Sequence, residues 1–257
     1  MDIQGTTREK IAALTAKAHR QTWSPDDIFN GTAGISIPAL VPRRLYAALI
    51  SQFLHGEIAT AQLCRNLIKV IDDPVVCQFL ATQADDEDRH ARAYGQYLDR
   101  IGGPSPIDPL LQAAFETVLT WDGPPQASIL GFHILIEGEA LRTLSDFQSE
   151  WPCPVFKKLN TRISRDEARH VAFGKLFLTD TLAALPAAEQ QLIFLRLRNL
   201  WDQVGDGILS GIRIPRFFTR HLRRRWLAEG WEYHRRNFAD VGLLNMTEMR
   251  RIEWRAA

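Results

Sequence analysis

The stretch Ile163–Gly174, ISRDEARHVAFG, decides how the chain can fold. Its centre is a D-E-x-R-H motif, and residues three apart lie on one face of a helix, so Glu167 and His170 point the same way. A carboxylate and an imidazole on one face suit an iron or manganese ion. A single pair of this kind also arises by chance on a charged, solvated helix, so the pattern gains weight only where it is repeated.

The motif occurs a second time, 80 residues earlier, as DEDRH at Asp86–His90. Two further glutamates keep the same offset, Glu57 in LHGEIATA and Glu137 in LIEGEALR. Within each half the two glutamates are 30 residues apart. Helix-breaking sequences lie midway between them, DDP at 72–74 and WPCP at 151–154.

Each half is therefore predicted to be a helical hairpin with its turn midway between its carboxylates. Each of these glutamates lies about 15 residues, or roughly 22 Å, from the turn, so the two carboxylates of a hairpin face each other at one height. Packing the two hairpins together brings four glutamates and two histidines into the interior of a bundle. These predicted metal ligands are Glu57, Glu87, His90, Glu137, Glu167 and His170.

This set resembles the di-metal carboxylate site of ferritin-like bundles, in which two helices give one Glu each and two give Glu-x-x-His. The repeated D-E-x-R-H is most similar to the oxygen-activating branch: bacterial multicomponent monooxygenases, ribonucleotide reductase small subunits and related N-oxygenases and oxidases. The resemblance covers about residues 43–183, and all six ligand positions are filled. It implies that Asp86 and Asp166 hydrogen-bond the ligand histidines, with Arg89 and Arg169 tying the network together.

Glu139 competes with Glu137 for the ligand position on the third helix. The residues at helical spacing around Glu137 are mostly apolar, and a glutamate in an apolar stripe is costly unless it is paired or metal-bound. Glu139 has neighbours of mixed character and breaks the 80-residue offset. We therefore predict that Glu137 is the ligand.

The predicted fold is all-α, a ferritin-like four-helix bundle with a long crossover and extra terminal helices, in a single domain of 257 residues. The bundle core spans about 43–183, with an N-terminal extension at 1–42 and C-terminal helices at about 187–257. The extension is expected to hold a short helix at 6–22 and an irregular lead-in at 23–42. The bundle helices are expected at about 43–70, 74–100, 126–149 and 155–183, with the Gly- and Pro-rich crossover at 101–125 and a fifth helix at 187–206.

The composition indicates no particular class of binding partner, because the net charge is only +1. Cys64, Cys77 and Cys153 show no C-x-x-C spacing, which indicates reduced thiols instead of a disulfide framework or a zinc site. The first residues lack the apolar core of a signal peptide, and no run of about 18 apolar residues follows. We therefore expect a cytoplasmic protein without a membrane partner.

Two further side chains lie on the predicted metal face. Tyr94 follows His90 by four residues, a spacing similar to that of the radical tyrosine in ribonucleotide reductase small subunits; packing is the alternative role. His133 lies one turn before Glu137. It could be a seventh ligand or a proton donor to bound oxygen species, or a histidine that only packs or hydrogen-bonds in the core.

The C-terminal region is rich in arginine. Residues 212–257 hold eleven Arg, no Lys and five acidic residues, interleaved with aromatic residues. The aromatic residues suggest helices packed on the bundle, with a basic outer face. That face could dock an acidic electron carrier, an acidic carrier protein or nucleic acid. The alternative is a solvated face with structural arginine pairs.

The resemblance implies an O2-dependent di-iron oxidoreductase, most similar to oxygenases that hydroxylate or N-oxygenate a small organic substrate. Its cofactor would be two iron ions or an iron–manganese pair, with O2 as co-substrate. An external electron donor of the ferredoxin or reductase type is implied, and a homodimer is the common assembly of the superfamily. The alternatives are a radical-generating protein resembling a ribonucleotide reductase small subunit, a ferritin-like protein for iron storage or detoxification, and a noncatalytic bundle.

Overall fold

The computed structural model describes residues 3–30, 35–37, 42–150, 153–210 and 216–256. These residues form helices and connecting segments, without a strand. A π-helical segment, Leu130–Ile136, and a 3-10 turn, Leu182–Ala184, accompany the α-helices. The α-helices are α1 (Gly5–Arg20), α2 (Asp26–Phe29), α3 (Arg43–Leu67), α4 (Pro74–Asp99), α5 (Pro109–Leu119), α6 (Pro125–Ile129), α7 (Glu137–Glu150), α8 (Pro154–Thr181), α9 (Ala187–Ser210), α10 (Arg216–Asp240) and α11 (Met246–Ala256).

The two predicted hairpins form the bundle. Helix α3 packs along α4, α7 packs along α8, and α4 contacts α8, so the two D-E-x-R-H motifs face each other. In the first turn, Asp73 caps α4, because its Oδ1 accepts hydrogen bonds from the backbone N–H of Val75 at 3.0 Å and Val76 at 3.2 Å. The second turn was predicted at WPCP, 151–154, and its residues Trp151 and Pro152 lie outside the described residues.

The third bundle helix is not one regular α-helix, as the sequence led us to expect over 126–149. Its chain runs through α6, the π-helical segment and α7 without a break. A π-helical segment has a wider turn than an α-helix and is found within α-helices, often at functional sites. The predicted helix is thus confirmed as one continuous helical run, and the π-helical segment within it is a feature that the apolar run LGFHILI did not indicate.

The N-terminal extension packs on the outside of the bundle. Helix α1 lies against α4 and α8, and its Ile11 and Ala18 are buried there. The lead-in is less irregular than expected, since it contains the short helix α2. Within the lead-in, residues 31–34 and 38–41 lie outside the described residues.

The remaining helices cover one side of the bundle. In the crossover, Gly102 and Gly103 have φ values of +119° and +90°, which glycine adopts without strain. Helix α5 then packs on α3 and α9. Helices α9 and α10 both contact the π-helical segment, and α11 packs on α9 and α10.

The aromatic residues of the C-terminal region are partly in the core, as expected. Trp231 and Phe238 are buried, whereas Trp254 is 82% exposed. The side chains of Phe217 and Phe218 lie outside the described part of the chain. None of the described helices has the length and apolar character needed to cross a bilayer.

Candidate metal centre

The six predicted ligands meet in the interior between α3, α4, α7 and α8, and each is at most 8% exposed. They form two groups of four, and within each group the ligand atoms all lie within 4.8 Å of one another. Glu87 and Glu167, one from each motif, belong to both groups. The groups are Glu57, Glu87, His90 and Glu167, and Glu87, Glu137, Glu167 and His170.

Both histidines turn Nδ1 toward the carboxylates. His90 Nδ1 lies 3.3 Å from Glu57 Oε2 and 3.2 Å from Glu167 Oε1. His170 Nδ1 lies 3.0 Å from Glu87 Oε1. Nδ1 is therefore the nitrogen of each ring that could bind a metal ion.

The aspartates of the two motifs contact the histidines crosswise. His90 Nε2 lies 3.1 Å from Asp166 Oδ2, and His170 Nε2 lies 3.3 Å from Asp86 Oδ2. Each aspartate thus accepts a hydrogen bond from the histidine of the other hairpin. This arrangement leaves Nδ1 of both rings directed at the carboxylates.

Two arginines each contact both of these aspartates. Arg89 contacts Asp86, and its Nη2 lies 3.1 Å from Asp166 Oδ2. Arg169 donates to Asp86 Oδ2 at 2.9 Å and contacts Asp166 Oδ1 at 2.7 Å. Burial alone would raise the pKa of both aspartates, but the adjoining histidines and arginines outweigh it and lower the pKa. Both carboxylates therefore stay ionised and keep accepting from the rings.

Four of the six ligand side chains have raised pKa values, which favours their protonated forms when no cation is bound. Burial raises the pKa of Glu57 and Glu137 well above the usual range, and the neighbouring Glu167 raises both further. Burial would lower the pKa of His90 and His170, but the surrounding carboxylates outweigh it and raise the pKa well above 6.5. A divalent cation could replace these protons.

Unpaired buried atoms fit such cations. Among the described residues, Glu137 Oε2 has neither a hydrogen bond nor an ion pair. Glu87 Oε2, Glu167 Oε1 and His170 Nδ1 have short contacts within the cluster but no well-aligned hydrogen bond. Buried polar atoms are normally paired, because burying them unpaired costs free energy. Carboxylate oxygen and imidazole nitrogen are ligands that iron and manganese accept. The residues present therefore fit a pair of these ions, each held by one group, with Glu87 and Glu167 common to both.

Glu139 is also buried but belongs to neither ligand group. Its oxygens accept from Arg142 Nε at 2.9 Å and Arg142 Nη2 at 2.7 Å. His234 Nε2, on α10, lies 3.3 Å from Glu139 Oε2. These contacts satisfy the carboxylate without a metal. Sequence reasoning missed His234, which lies 95 residues away along the chain.

Tyr94 is completely buried near the cluster. Its ring stacks on Phe53 with centroids 5.9 Å apart, and its hydroxyl has no hydrogen-bond partner among the described residues. Burial, and then the charge of Glu57, raise the pKa of this hydroxyl well above its usual value.

Among the described residues, His133 is linked to the cluster by a hydrogen bond with Gln83, a residue that sequence reasoning missed. His133 Nε2 lies 3.1 Å from Gln83 Oε1, and the Gln83 amide donates to Glu137 Oε1 at 2.7 Å and Glu87 Oε1 at 3.1 Å. Burial and the nearby His170 lower the pKa of His133 to about 3, so its ring is neutral. The sequence feature that could have identified Gln83 is its position, four residues before Glu87 on the same face of the helix.

Trp23 was missed as well, because it lies in the lead-in without a local pattern. Its Nε1 donates to Asp166 Oδ2 at 2.8 Å, and its ring stacks on His90 with centroids 6.0 Å apart. The Arg89 guanidinium lies 5.3 Å from the centre of the Trp23 ring. The N-terminal extension therefore closes one side of the aspartate–arginine network.

A pocket adjoins the cluster on the side of α3, α5 and α7. It encloses about 780 Å³ of space, part of it open to solvent, and Glu57, Glu137 and Glu167 form its inner end. The wall is mostly apolar, with Leu49, Phe53, Leu111, Phe115 and Ile136 among its side chains.

No protein-family model and no curated protein matches the sequence, but solved structures match the fold. A point mutant of an R2-like ligand-binding oxidase with an anaerobically reconstituted Mn/Fe cofactor has a TM-score of 0.66 at 18% identity, covering 87% of this chain and 91% of that one. The R2-like ligand-binding oxidase from Sulfolobus acidocaldarius has a TM-score of 0.55 at 18% identity, covering 87% and 89%. The chain therefore has the ferritin-like fold, as its repeated motif predicts.

Proposed function

We propose that the protein is a di-metal oxidoreductase that uses O2 to oxidise a small organic molecule. The observation that supports this most directly is the pair of buried four-residue groups that share Glu87 and Glu167. The Mn/Fe cofactor of the R2-like oxidases of the same fold supports two iron ions or an iron–manganese pair as cofactor. Within this class we propose an oxygenase that hydroxylates or N-oxygenates its substrate.

The metal pair would supply the electrons that reduce O2, which side chains cannot do. The chain's own residues would hold the metal ions and orient the ligand side chains. Asp166 and Asp86 accept the Nε2 protons of His90 and His170, so each ring keeps its Nδ1 lone pair directed at the cluster. Glu87 and Glu167, which belong to both ligand groups, would help to hold the two ions.

The pocket supports a substrate with an apolar body. Its polar wall residues are already bonded inside the protein: Gln52 Nε2 donates to the backbone oxygen of Ala48 at 2.9 Å, and Glu139 binds Arg142. The wall therefore presents few free hydrogen-bonding groups, and water gains little by filling it. An apolar molecule in this pocket would exclude water from the inner end, where the carboxylates lie.

We also propose that an acidic electron donor of the ferredoxin or reductase type docks on α10 and α11. Arg224, Arg251 and Arg255 are exposed and have no ion-pair partner among the described residues, and the exposed Trp254 lies beside two of them. Such a surface has the charge and the apolar anchor that an acidic protein would bind. By resemblance we propose a homodimer, and the three free cysteines support a cytoplasmic location.

The test is metal analysis followed by reaction with O2. Protein from iron-supplied cells should hold about two transition-metal ions per chain. After anaerobic reduction it should consume O2 with a change in its visible absorption spectrum, and a Glu167→Gln variant should lose both properties. A folded protein without transition metal would refute the proposal. Continued oxidation of many irons per chain, without an organic substrate, would instead indicate iron storage or detoxification.

A radical-generating protein is the second candidate, and one observation favours it. The Tyr94 hydroxyl is buried beside the cluster without a hydrogen-bond partner among the described residues. If this role is correct, O2 exposure of the reduced protein should produce a tyrosyl signal in electron paramagnetic resonance that Tyr94→Phe abolishes.

A further inference from the structure

The two halves of the bundle share their ligands but differ in the residues around them. With the 80-residue offset, His133 corresponds to Phe53 and Gln83 corresponds to Ile163. Ile163 is completely buried and Phe53 stacks on Tyr94, so the other half places apolar side chains at both positions. The polar pair therefore has no counterpart at the positions related to it by the offset.

Gln83 donates both of its observed amide hydrogen bonds to ligand carboxylates. The shorter bond, 2.7 Å long, goes to Glu137 Oε1, and the longer one, 3.1 Å, goes to Glu87 Oε1. The second oxygen of Glu137, Oε2, is buried and has no hydrogen-bond partner among the described residues. One oxygen of Glu137 is thus occupied by the amide, and the other remains available.

His133 decides which end of the amide faces the carboxylates. With its proton on Nε2, the ring donates to Gln83 Oε1, 3.1 Å away, and this bond turns the amide NH2 toward Glu137. His133 fits here because residue 174 is glycine: a Cβ at Gly174 would lie 2.7 Å from the His133 Cβ. The corresponding residue of the other half is Tyr94, so this contact is also confined to one half.

We propose that Gln83, oriented by His133, is a positioning residue that holds the carboxylate of Glu137 in place and makes the two metal positions unequal. The inference rests on the proposed metal site. Glu57, the equivalent of Glu137, has no amide donor among the described residues, and its Oε2 instead lies 3.3 Å from His90 Nδ1. The position formed by Glu137 and His170 is therefore the preorganised one, and it binds a divalent ion first.

The experiment is an anaerobic titration of the metal-free protein with Mn(II), in which the electron paramagnetic resonance of unbound Mn(II) reports the free ion. The wild-type protein should bind in two steps of different affinity, and Glu137→Gln should remove the tighter step. Gln83→Leu should weaken the tighter step about 10- to 100-fold and the weaker step by less, because Glu87, the second acceptor of the Gln83 amide, belongs to both ligand groups. Gln126→Leu is the matched control, since Gln126 is also buried but bonds to the backbone oxygen of Thr181.

A double-mutant cycle separates positioning from packing. His133→Phe should weaken the same step as Gln83→Leu, the double variant should be no weaker than Gln83→Leu alone, and His133→Gln should restore binding by donating to Gln83 again. Unchanged tight binding in Gln83→Leu, or equal loss at both steps, would overturn the proposal and leave the proposed function intact. Failure of the wild-type protein to bind metal would instead contradict the proposed function.

Discussion

Glu137 and Glu139 are two residues apart and both almost fully buried, yet their oxygens have different partners. Glu137 belongs to a ligand group and keeps one unpaired oxygen, whereas Glu139 is bonded on both oxygens by Arg142 and His234. Burial by itself therefore does not identify a ligand. At the scale of the residue, the partners of each oxygen make the distinction.

Alanine substitution at these two positions should have opposite effects. Glu137→Ala should lose metal without destabilising the metal-free protein, because the pKa of Glu137 is raised and its ionised form is unfavourable there. Glu139→Ala should keep the metal but lower the free energy of unfolding by about 1–3 kcal/mol, because His234 and Arg142 lose their acceptor. Metal content and urea unfolding of the metal-free variants check both; metal loss in Glu139→Ala alone would reverse the ligand assignment.

Metal binding should release protons and weaken as the pH falls. Glu57, Glu137, His90 and His170 have raised pKa values in the metal-free cluster, which favours their protonated forms, and a bound metal must displace those protons. Titration calorimetry in buffers of different ionisation enthalpy measures the protons released. Binding without proton release would contradict the raised pKa values.

At the scale of the element, helix α4 is the part of the bundle whose start is most fully specified by local residues. Pro74 occupies the first turn of α4, and Asp73 caps the helix. The Asp73 carboxylate also accepts a hydrogen bond from Arg8 Nε of α1 at 2.7 Å. One side chain thus begins a bundle helix and attaches the N-terminal extension to it. The π-helical segment is the contrasting element, since no such local signal marks its start.

Removal of this cap should destabilise the fold measurably. Asp73→Ala should lower the free energy of unfolding by about 1–2 kcal/mol, whereas the exposed neighbour Asp72→Ala should have almost no effect. The pKa of Asp73 is lowered: burial would raise it, but the hydrogen bonds from Arg8 and the backbone outweigh burial. Its contribution is therefore present above the unfolded pKa of about 3.9 and is lost as the pH falls through the lower folded value. Equal unfolding curves for both variants would refute this role.

At the scale of the whole molecule, the arginines of the C-terminal region fall into a paired and an exposed group. Arg235 binds Glu253 at 2.7 Å, which joins α10 to α11. Arg223 also pairs with Asp206 of α9. Other arginines remain exposed without such partners among the described residues, so part of the basic surface stays available.

If that surface docks an acidic electron donor, electron transfer should depend steeply on salt. Raising the ionic strength from about 0.01 M to about 0.15 M shortens the Debye length from about 30 Å to about 8 Å, so the observed second-order rate with an acidic ferredoxin should fall several-fold. Arg251→Ala with Arg255→Ala should reduce the rate at low salt and flatten the salt dependence, whereas Arg162→Ala on α8 should change neither. An electron-transfer rate that does not depend on salt would contradict docking and leave the C-terminal region with a structural role alone.

The sequence by itself determined the all-α class, the two hairpins and the six residues that meet in the bundle, because these depend on spacing along single helices and on the turns between them. The tertiary structure alone decided the crosswise aspartates, the Gln83–His133 pair, the bond from Trp23 to Asp166 and the pairing of Glu139 with His234. These contacts join residues 50 to 143 positions apart. They depend on how each helix is rotated and shifted against its neighbours, which the 3.6-residue period of a single helix leaves open.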